Sequence, residues 1–425
     1  VNYQESLEWL YSTQLFGIKL GLDGPRKLLR EFLAFPTHRT QVIHVAGTNG
    51  KGSTCAMIDS LGRSLALRTG LFTSPHLVDY RERIRVSGGE ITEERTAELL
   101  SELKELVSHW DPHPTFFELT LALAMRHFRE SNCELIILET GMGGRLDATT
   151  TVPADVCVLT PIALDHTKWL GSTITEIAQE KAAIALHGKP LISAAQTPEA
   201  QIEIEQVAIS AAQTPEAQIE IEQVANQARA TLSFVTEPLL GYHIAIPGEH
   251  QRFNASLACE AIIAAGHHLS YDVVQHAFST LRWPGRFEVL ESTHFGHQRP
   301  LILDAAHNPH AAKVLIETWK NEYRDQKAQI IFGAVEDKDA LAILKIIEPI
   351  CEKLHLVPVK SLRSIDPNEL CSQLTHIPTE VHESVNKALT TSAQLVIPTL
   401  ITGSIFLIGE AKSAIEKKVT RITSQ

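Results

Sequence analysis

Short apolar runs alternate with amphipathic helical segments along almost the whole chain, and this alternation most narrows what it can fold into. Candidate strands are Gln41–Ala46, Thr69–Phe72, Glu134–Glu139, Asp155–Thr160 and Lys189–Ile192, followed by Pro300–Leu303, Gln329–Phe332, Lys353–Pro358 and Ile401–Ile408. Helical patterns such as Phe117–Glu130 and Ala311–Glu322 lie between them. Thr173 and Glu176 form a capping-box pair that opens another helix, expected to run to about Leu186. Strands and helices in this order predict an α/β fold with a mostly parallel, doubly wound sheet. The pattern resets around Trp283-Pro284-Gly285-Arg286, which predicts two domains, residues 1–284 and a smaller 286–425. With 425 residues the chain can bury a core in each.

The first strand delivers the most informative loop. Residues 42–54 read VIHVAGTNGKGST, an apolar run that ends in a glycine-rich turn with one lysine. Ser53 is expected to open a helix over Thr54–Leu67. Gly47, Gly50 and Gly52 let backbone N–H groups turn toward one point, and Lys51 adds a mobile positive charge. Thr48, Asn49, Ser53 and Thr54 complete a cradle for a nucleotide polyphosphate. The spacing departs from the strict Walker pattern, because position 45 is Val and Gly52 separates Lys51 from Ser53. Against the alternative of a plain strand-to-helix turn stand the strand, glycines, lysine and hydroxyls in order.

Composition limits the partners. The formal charge of −12 argues against a nucleic-acid surface, which needs clustered Lys and Arg. A polyanionic substrate therefore has to be met by local charges. Apolar content of 44% and charged content of 21% describe a globular chain. Residues 1–10 carry two acids and no apolar core of a signal peptide, and runs such as Leu135–Leu138 are too short to span a bilayer. The six cysteines form no C-x-x-C pair and fall mostly in apolar segments. They read as reduced thiols in the cytoplasm, with neither disulfides nor zinc expected.

Other strand ends carry chemistry, and in open α/β sheets ligands gather at the carboxyl ends of strands. Thr73-Ser74-Pro75-His76 puts two hydroxyls and an imidazole there, with turn capping as the alternative role. Glu139 closes an apolar strand before Thr140-Gly141-Met142-Gly143-Gly144-Arg145, well placed for Mg²⁺ beside a triphosphate or, alternatively, for a cap or an ion pair with Arg145. Asp165-His166-Thr167 stands in the same relation to the next strand. Lys181, beside Glu180, reads on composition alone as a solvated helix lysine. Gly248 to Asn254 is expected to join a strand to an alanine-rich helix. Asp304-Ala305-Ala306-His307-Asn308-Pro309 again follows a strand and opens a helix, as a second half-site would.

One further feature is not chemical. Residues 192–208 read ISAAQTPEAQIEIEQVA, and residues 209–225 repeat them without change. A single helix through both copies would bury Pro215 in its interior at about 3 kcal/mol. Seventeen residues also advance roughly 1700°, about 100° short of five turns, so the apolar face would lose register. One copy is therefore expected to pack and the other to bulge out as a solvated insertion.

These motifs together resemble the folylpolyglutamate synthases, a family that includes bifunctional dihydrofolate synthases and is related to the Mur ligases. The resemblance covers nearly the whole chain, through Gly47–Thr54, Phe72–Leu77, Glu139–Thr149, Leu164–Thr167, Glu180–Ala182, His250–Asn254, Gly285–Glu288, Asp304–Pro309, Gly333–Asp339 and Thr402–Ser404. It implies an N-terminal P-loop ATPase-type domain and a C-terminal α/β Rossmann-like domain, acting as a monomer. It also implies that ATP phosphorylates a substrate carboxylate and that L-glutamate attacks the acyl phosphate. The substrate would be a reduced folate, or dihydropteroate in a bifunctional enzyme. By similarity Lys51 contacts the β/γ-phosphates, and Ser53 the phosphates or Mg²⁺. Ser74, Glu139 and His166 would hold Mg²⁺, in a site of two ions. Asn254, Arg286, Asp304 and His307 would address ATP, the last three closing the cleft from the hinge and second domain. Lys181 matches a family lysine that is often carbamylated, which reverses its reading from composition. With Lys51, His166, Asp304 and His307 it makes up the expected catalytic set.

Three positions depart from the family pattern: Thr150 where Asn is usual, Ala182 where Gly is usual, and Ala305 where Gly is usual. Thr150 bears on the substrate surface, and Ala305 adds a methyl beside the ATP site. A Mur-type peptide ligase is the related alternative, against which Gly52 and the Thr73–His76 loop weigh. A silent nucleotide-binding protein is the other, against which stand the intact Lys51, Glu139, His166 and Asp304.

Overall fold

The computed structural model describes residues 2–17, 21–211, 231–290, 295–361, 363–374 and 376–416. The chain divides into two compact units, each with its own sheet. The first holds the described residues up to His76, Arg81–Ile244 and Arg252–Leu281; the second holds Leu77–Tyr80, Ala245–Gln251 and the described residues from Arg282 onward.

The first unit is built on eight strands: β1 (Gln41–Ala46), β2 (Thr69–Phe72), β3 (Ile84–Val86), β4 (Gly89–Glu90), β5 (Leu135–Glu139), β6 (Val156–Leu159), β7 (Leu191–Ala194) and β8 (Leu232–Val235). Their order is β4-β3-β2-β5-β1-β6-β7-β8, parallel throughout except for the β2–β3–β4 meander at one edge. Strands β1, β5 and β6 are buried almost residue for residue, as expected where both faces are covered. Val45 pairs with both Glu139 and Val158, and Phe72 with Leu138, so these strands end abreast. The loops that follow β1, β2, β5 and β6 therefore emerge on one edge of the sheet. Helix Lys51–Ser64 has an unbroken buried stretch from Gly52 to Gly62, and Ser60 Oγ donates to Ala277 O of helix Tyr271–Ser279 at 2.8 Å.

The second unit has six strands: β9 (Glu288–Leu290), β10 (Leu301–Leu303), β11 (Ala328–Phe332), β12 (Cys351–Leu356), β13 (Thr379–Val381) and β14 (Thr399–Thr402). They run β13-β12-β11-β14-β10-β9, with only β9 antiparallel. One face packs Trp319, Ile316, Ile343 and Leu344 of helices Pro309–Tyr323 and Ala340–Ile347; the other packs Val385, Leu389, Leu407 and Ile408 of helices Val385–Ser392 and Ile405–Glu416. Among the described residues no helix is long and apolar enough to cross a membrane.

Several elements differ from the sequence reading. The apolar run Ile401–Ile408 is not one strand: β14 ends at Thr402 and a helix begins at Ile405. Gly403 breaks it at φ +110°, with a Cβ there only 2.6 Å from the Phe332 ring, and Ser404 Oγ accepts from Phe406 N. A short apolar run alone does not separate a buried strand from a buried helix. The helix opened by the Thr173–Glu176 capping box stops at Ala182, and β7 lies two residues later than expected. The Gly-rich loop leads into a helix at Lys51 rather than Thr54. No strand immediately precedes the helix Glu249–Ala264. The first copy of the repeat packs: Ile192 and Ala194 lie in β7, and Ala200, Ile204 and Ala208 are buried along helix Pro198–Ala211. The second copy, expected to bulge out, begins within that helix at residues 209–211 and lies, from residue 212 onward, outside the described residues.

Candidate active site

The Gly47–Lys51 loop owes its shape to two glycines. At Gly47 (φ +139°) a Cβ would stand 2.0 Å from Thr160 Oγ1, and at Gly50 (φ +91°) 2.7 Å from Asn254 Oδ1, so neither position tolerates a side chain. Asn254 is thereby pressed against the loop. The N–H groups of Thr48 and Asn49 are already used, both donating to Pro161 O, at 3.0 and 3.2 Å. Thr48 Oγ1 donates to Ala163 O and accepts from Ala163 N, each at 3.1 Å. The loop is thus a rigid shelf, and the donors aimed outward belong to the first turn of the helix. Gly50 is its N-cap and supplies no side-chain acceptor, which leaves the N–H groups of Lys51, Gly52 and Ser53 without a side-chain cap. An uncapped helix N-terminus with its positive dipole end is an anion site.

Two lysines brace the carbonyl side. Lys51 Nζ donates to Gly47 O at 3.2 Å and Thr48 O at 3.3 Å. Lys181, which composition alone assigns to solvent, is buried at 3% exposure and donates to Gly47 O at 2.9 Å. It reaches the loop because Gly144 packs against the end of its helix: a Cβ there would sit 2.7 Å from the carbonyls of Glu180 and Lys181. Arg145 pairs with Glu180 at 3.1 Å, so the alternative pairing of Arg145 with Glu139 is not formed.

Glu139 is buried at the end of β5, and its Oε2 accepts from Ser74 N at 3.1 Å, which joins the loops after β2 and β5. Burial raises the Cys55 thiol well above its ordinary range; the Glu139 charge adds to this and Lys51 opposes it, so both charges bear on one point in the helix's first turns. Ser53 Oγ and Thr140 Oγ1 are buried with no hydrogen-bond partner among the described residues. A buried carboxylate and an unsatisfied buried hydroxyl are hard oxygen donors of the kind that fits Mg²⁺. His166 lies on the loop after β6, at φ +50°, as N-cap of the short helix Thr167–Leu170. A left-handed conformation at a residue other than glycine stores strain, and Asp165 Oδ1 steadies it by accepting from His166 N at 2.8 Å.

Beneath this edge runs a polar chain that joins Asp147 and Thr149 of the Glu139–Thr149 motif to His44, which the motif reading did not single out. His44, in mid-β1, lies 2.8 Å from Thr149 Oγ1, and Thr149 donates to Asp147. Asp147 Oδ2 also accepts from Met142 N at 2.8 Å, which fixes the Gly-rich loop after β5. Burial lowers the His44 pKa to about 4 and raises that of Asp147. A histidine amid Val42, Ile43, Val45 and Ala46 was its one sequence signal. Thr150 Oγ1 closes the same loop by donating to Gly144 O at 2.6 Å.

The second unit carries the remaining expected residues. Asp304, buried after β10, accepts from Phe287 N and Ala306 N, both at 2.9 Å, and so ties the Arg286 turn to the strand end. Burial raises its pKa, while the Arg286 charge works against the shift. His307 Nδ1 lies 2.9 Å from Ala305 O; a carbonyl can only accept, so Nδ1 carries the proton. Asn308 caps helix Pro309–Tyr323 through Ala311 N. The extra methyl of Ala305 packs into the core, and this residue does not adopt a positive φ. His250 has its pKa lowered to about 4 by burial, with Arg286 and His310 adding to the shift.

The arrangement in the first unit matches a known family. Residues 45–262 match the Mur ligase middle domain, and residues 285–404 match the Mur ligase, glutamate ligase domain. The dihydrofolate synthase/folylpolyglutamate synthase of Bacillus subtilis is 32% identical, over 97% of this chain and 99% of that one. This chain belongs to the folylpolyglutamate synthase/dihydrofolate synthase family. Solved structures of the family share the fold: the Escherichia coli FolC in complex with DHPP and ADP superposes with a TM-score of 0.83 at 28% identity, covering 98% of each chain. A Yersinia pestis bifunctional folylpolyglutamate synthase/dihydrofolate synthase, complexed with AMPPNP and a Mn ion, gives 0.83 at 27% identity over 98% of each chain. This chain therefore shares its α/β fold with both of these structures.

Proposed function

We propose that this chain is an ATP-dependent ligase that adds L-glutamate to folates through an acyl phosphate, releasing ADP and phosphate. The observation that carries the reading is the uncapped helix N-terminus at Gly50–Ser53, with Lys51 beside it and Glu139 at the adjacent strand end. Residues 1–284 serve as the ATP-binding ligase domain and 286–425 as the glutamate ligase domain. The first turn of helix Lys51–Ser64 and Lys51 receive the β/γ-phosphates, which positions the γ-phosphorus for in-line attack by the folate carboxylate oxygen. ADP departs, leaving an acyl phosphate. The amine of glutamate then attacks the carbonyl carbon, the C–O bond to phosphate breaks, and the amine's proton is lost.

Ser53, Ser74, Glu139 and His166 would hold Mg²⁺, in two ions, which supplies charge neutralisation at the phosphoryl oxygens. Gly47, Thr48, Asn49, Gly52, Thr54 and Asn254 shape the nucleotide side, and Arg286, Asp304 and His307 serve ATP from the second domain. Lys181 reacts with CO₂ to a carbamate, with loss of protons, and so becomes an anionic oxygen donor in place of a buried cation. Its burial against Gly47 is what supports this. We place the enzyme in the cytoplasm, since its six cysteines are free thiols and five of them are buried, and read it as a monomer from the family resemblance alone.

A second reading, a bifunctional enzyme that also joins dihydropteroate to glutamate, is favoured by the paired name of the Bacillus subtilis relative. A substrate panel tests both: ATP, Mg²⁺ and glutamate with, separately, dihydropteroate, tetrahydrofolate and a UDP-muramyl peptide. Product from tetrahydrofolate supports the main reading, and product from dihydropteroate adds the second. Product from the muramyl substrate alone overturns both.

A further inference from the structure

The second unit holds a cluster of metal-ligating side chains that the ligase reaction does not use. In the parallel pairing of β12 with β13, His355 stands opposite Glu380. His382, two residues beyond Glu380, shares that face by the period of a strand. Across β12, Ile331 of β11 stands opposite His355, so Gln329, two residues earlier, is on the same face again. Helix Val385–Ser392 covers it, with Ser392 O accepting from Gln329 Nε2 at 2.7 Å. His355 is fully buried and His382 nearly so.

Gln329 decides the tautomer of His355. Because its amide nitrogen is turned to Ser392, its Oε1 faces His355 Nε2 at 3.1 Å, and an acceptor there requires the proton on Nε2. His355 Nδ1 is left with its lone pair directed at His382 Nε2, 2.9 Å away. Glu380 Oε1 lies 4.0 Å from His382 Nε2, while Lys353 Nζ holds the other carboxylate oxygen at 2.8 Å. One ligand atom from each of the three residues falls within 4.8 Å of the others.

We propose that His355, His382 and Glu380 bind one divalent transition-metal ion of the zinc type. Two imidazole nitrogens and one carboxylate oxygen suit a borderline ion and not Mg²⁺. Metal–nitrogen bonds of about 2.0–2.1 Å subtend the observed nitrogen separation at a right angle, and an opening of about 0.4 Å makes the angle tetrahedral. The Gln329 amide plays the part usual behind a metal-bound histidine, accepting its second N–H and fixing the ring. Binding requires His382 to carry its proton on Nδ1, a change of tautomer with no net charge. Lys353 leaves one oxygen of Glu380 for the ion, and the open side of the cluster, where Glu380 is 44% exposed, is the entry path.

The test uses the full chain, stripped with chelator and returned to buffer with excess Mg²⁺ to hold oxygen-rich sites. Co²⁺ is titrated and its visible absorption followed, and Zn²⁺ is titrated against the thermal midpoint. The wild type should bind one equivalent with the intense bands of imidazole ligation, and Zn²⁺ should raise its midpoint. H382Q and E380Q should each lose at least about tenfold in affinity. Their midpoints without metal check folding, with E380Q, on a half-exposed side chain, as the milder change. A wild type that binds no equivalent of either ion, or two variants that both bind as the wild type does, would overturn the assignment.

Discussion

Lys51 and Lys181 converge on one carbonyl, that of Gly47, and they differ in what they give up if removed. Lys51 is half-buried and, among the described residues, its amine bonds the loop carbonyls of Gly47 and Thr48. Lys51→Ala should therefore reduce turnover by at least about 100-fold while stability shifts by no more than about 1 kcal/mol. Steady-state kinetics beside a urea melt would show this, and near-normal turnover would remove Lys51 from the phosphate site. Lys181→Met keeps the buried stem and deletes the amine. It should abolish ligation and also the added mass of CO₂ that the carbamate reading predicts for the intact wild-type protein in bicarbonate buffer. Full activity in this variant would sink the carbamate reading. Lys181 was misread on composition because its partner lies 134 residues away, and no local pattern encodes that contact.

The β1–loop–helix unit is the element that organises the first sheet, and it is tied down by the buried His44–Thr149–Asp147 chain. His44 has a folded pKa of about 4 against an ordinary 6.5, so between these values the unfolded chain binds the proton that the folded one refuses. Stability is then complete above pH 6.5 and falls as the pH drops toward 4, by up to about 1.4 kcal/mol per pH unit for one group. His44→Gln, which cannot titrate, should flatten the urea-midpoint profile in that window and leave it unchanged at pH 8. An unaltered acid slope would show that His44 is not neutral when folded. Local signals were legible here: the apolar run for β1, the glycines, and the capping box of Thr173 with Glu176. Elements set by distant partners were not. Strands β3 and β4 are too short to show alternation, and the run after Thr399 turns helical because Gly403 sits against Phe332 and Gly333.

At the scale of the whole molecule, each of the two units has a sheet of mostly parallel strands, and the sequence carries one exact repeat of seventeen residues. The first repeat copy already fills β7 and its helix with Ile192, Ala200, Ile204 and Ala208. Deleting residues 209–225 should leave the thermal midpoint and the ligase rate close to wild type, whereas collapse of folding would give the second copy a structural role. The order of motifs from Gly47 to Ser404 was readable from sequence, since most sit at strand ends with their own turn chemistry, whereas Glu180–Ala182 and His250–Asn254 lie in helices. The cluster of His355, Glu380 and His382 was not, because only the pairing of β12 with β13 brings it together. The central claim is that a carboxylate is activated by phosphorylation before glutamate is joined to it, and an isotope transfer tests it most directly. Folate labelled with heavy oxygen in its terminal carboxylate is turned over with ATP, Mg²⁺ and glutamate, and the released phosphate is weighed. One labelled oxygen should appear in phosphate for each glutamate added; ligation with unlabelled phosphate would contradict the acyl phosphate route.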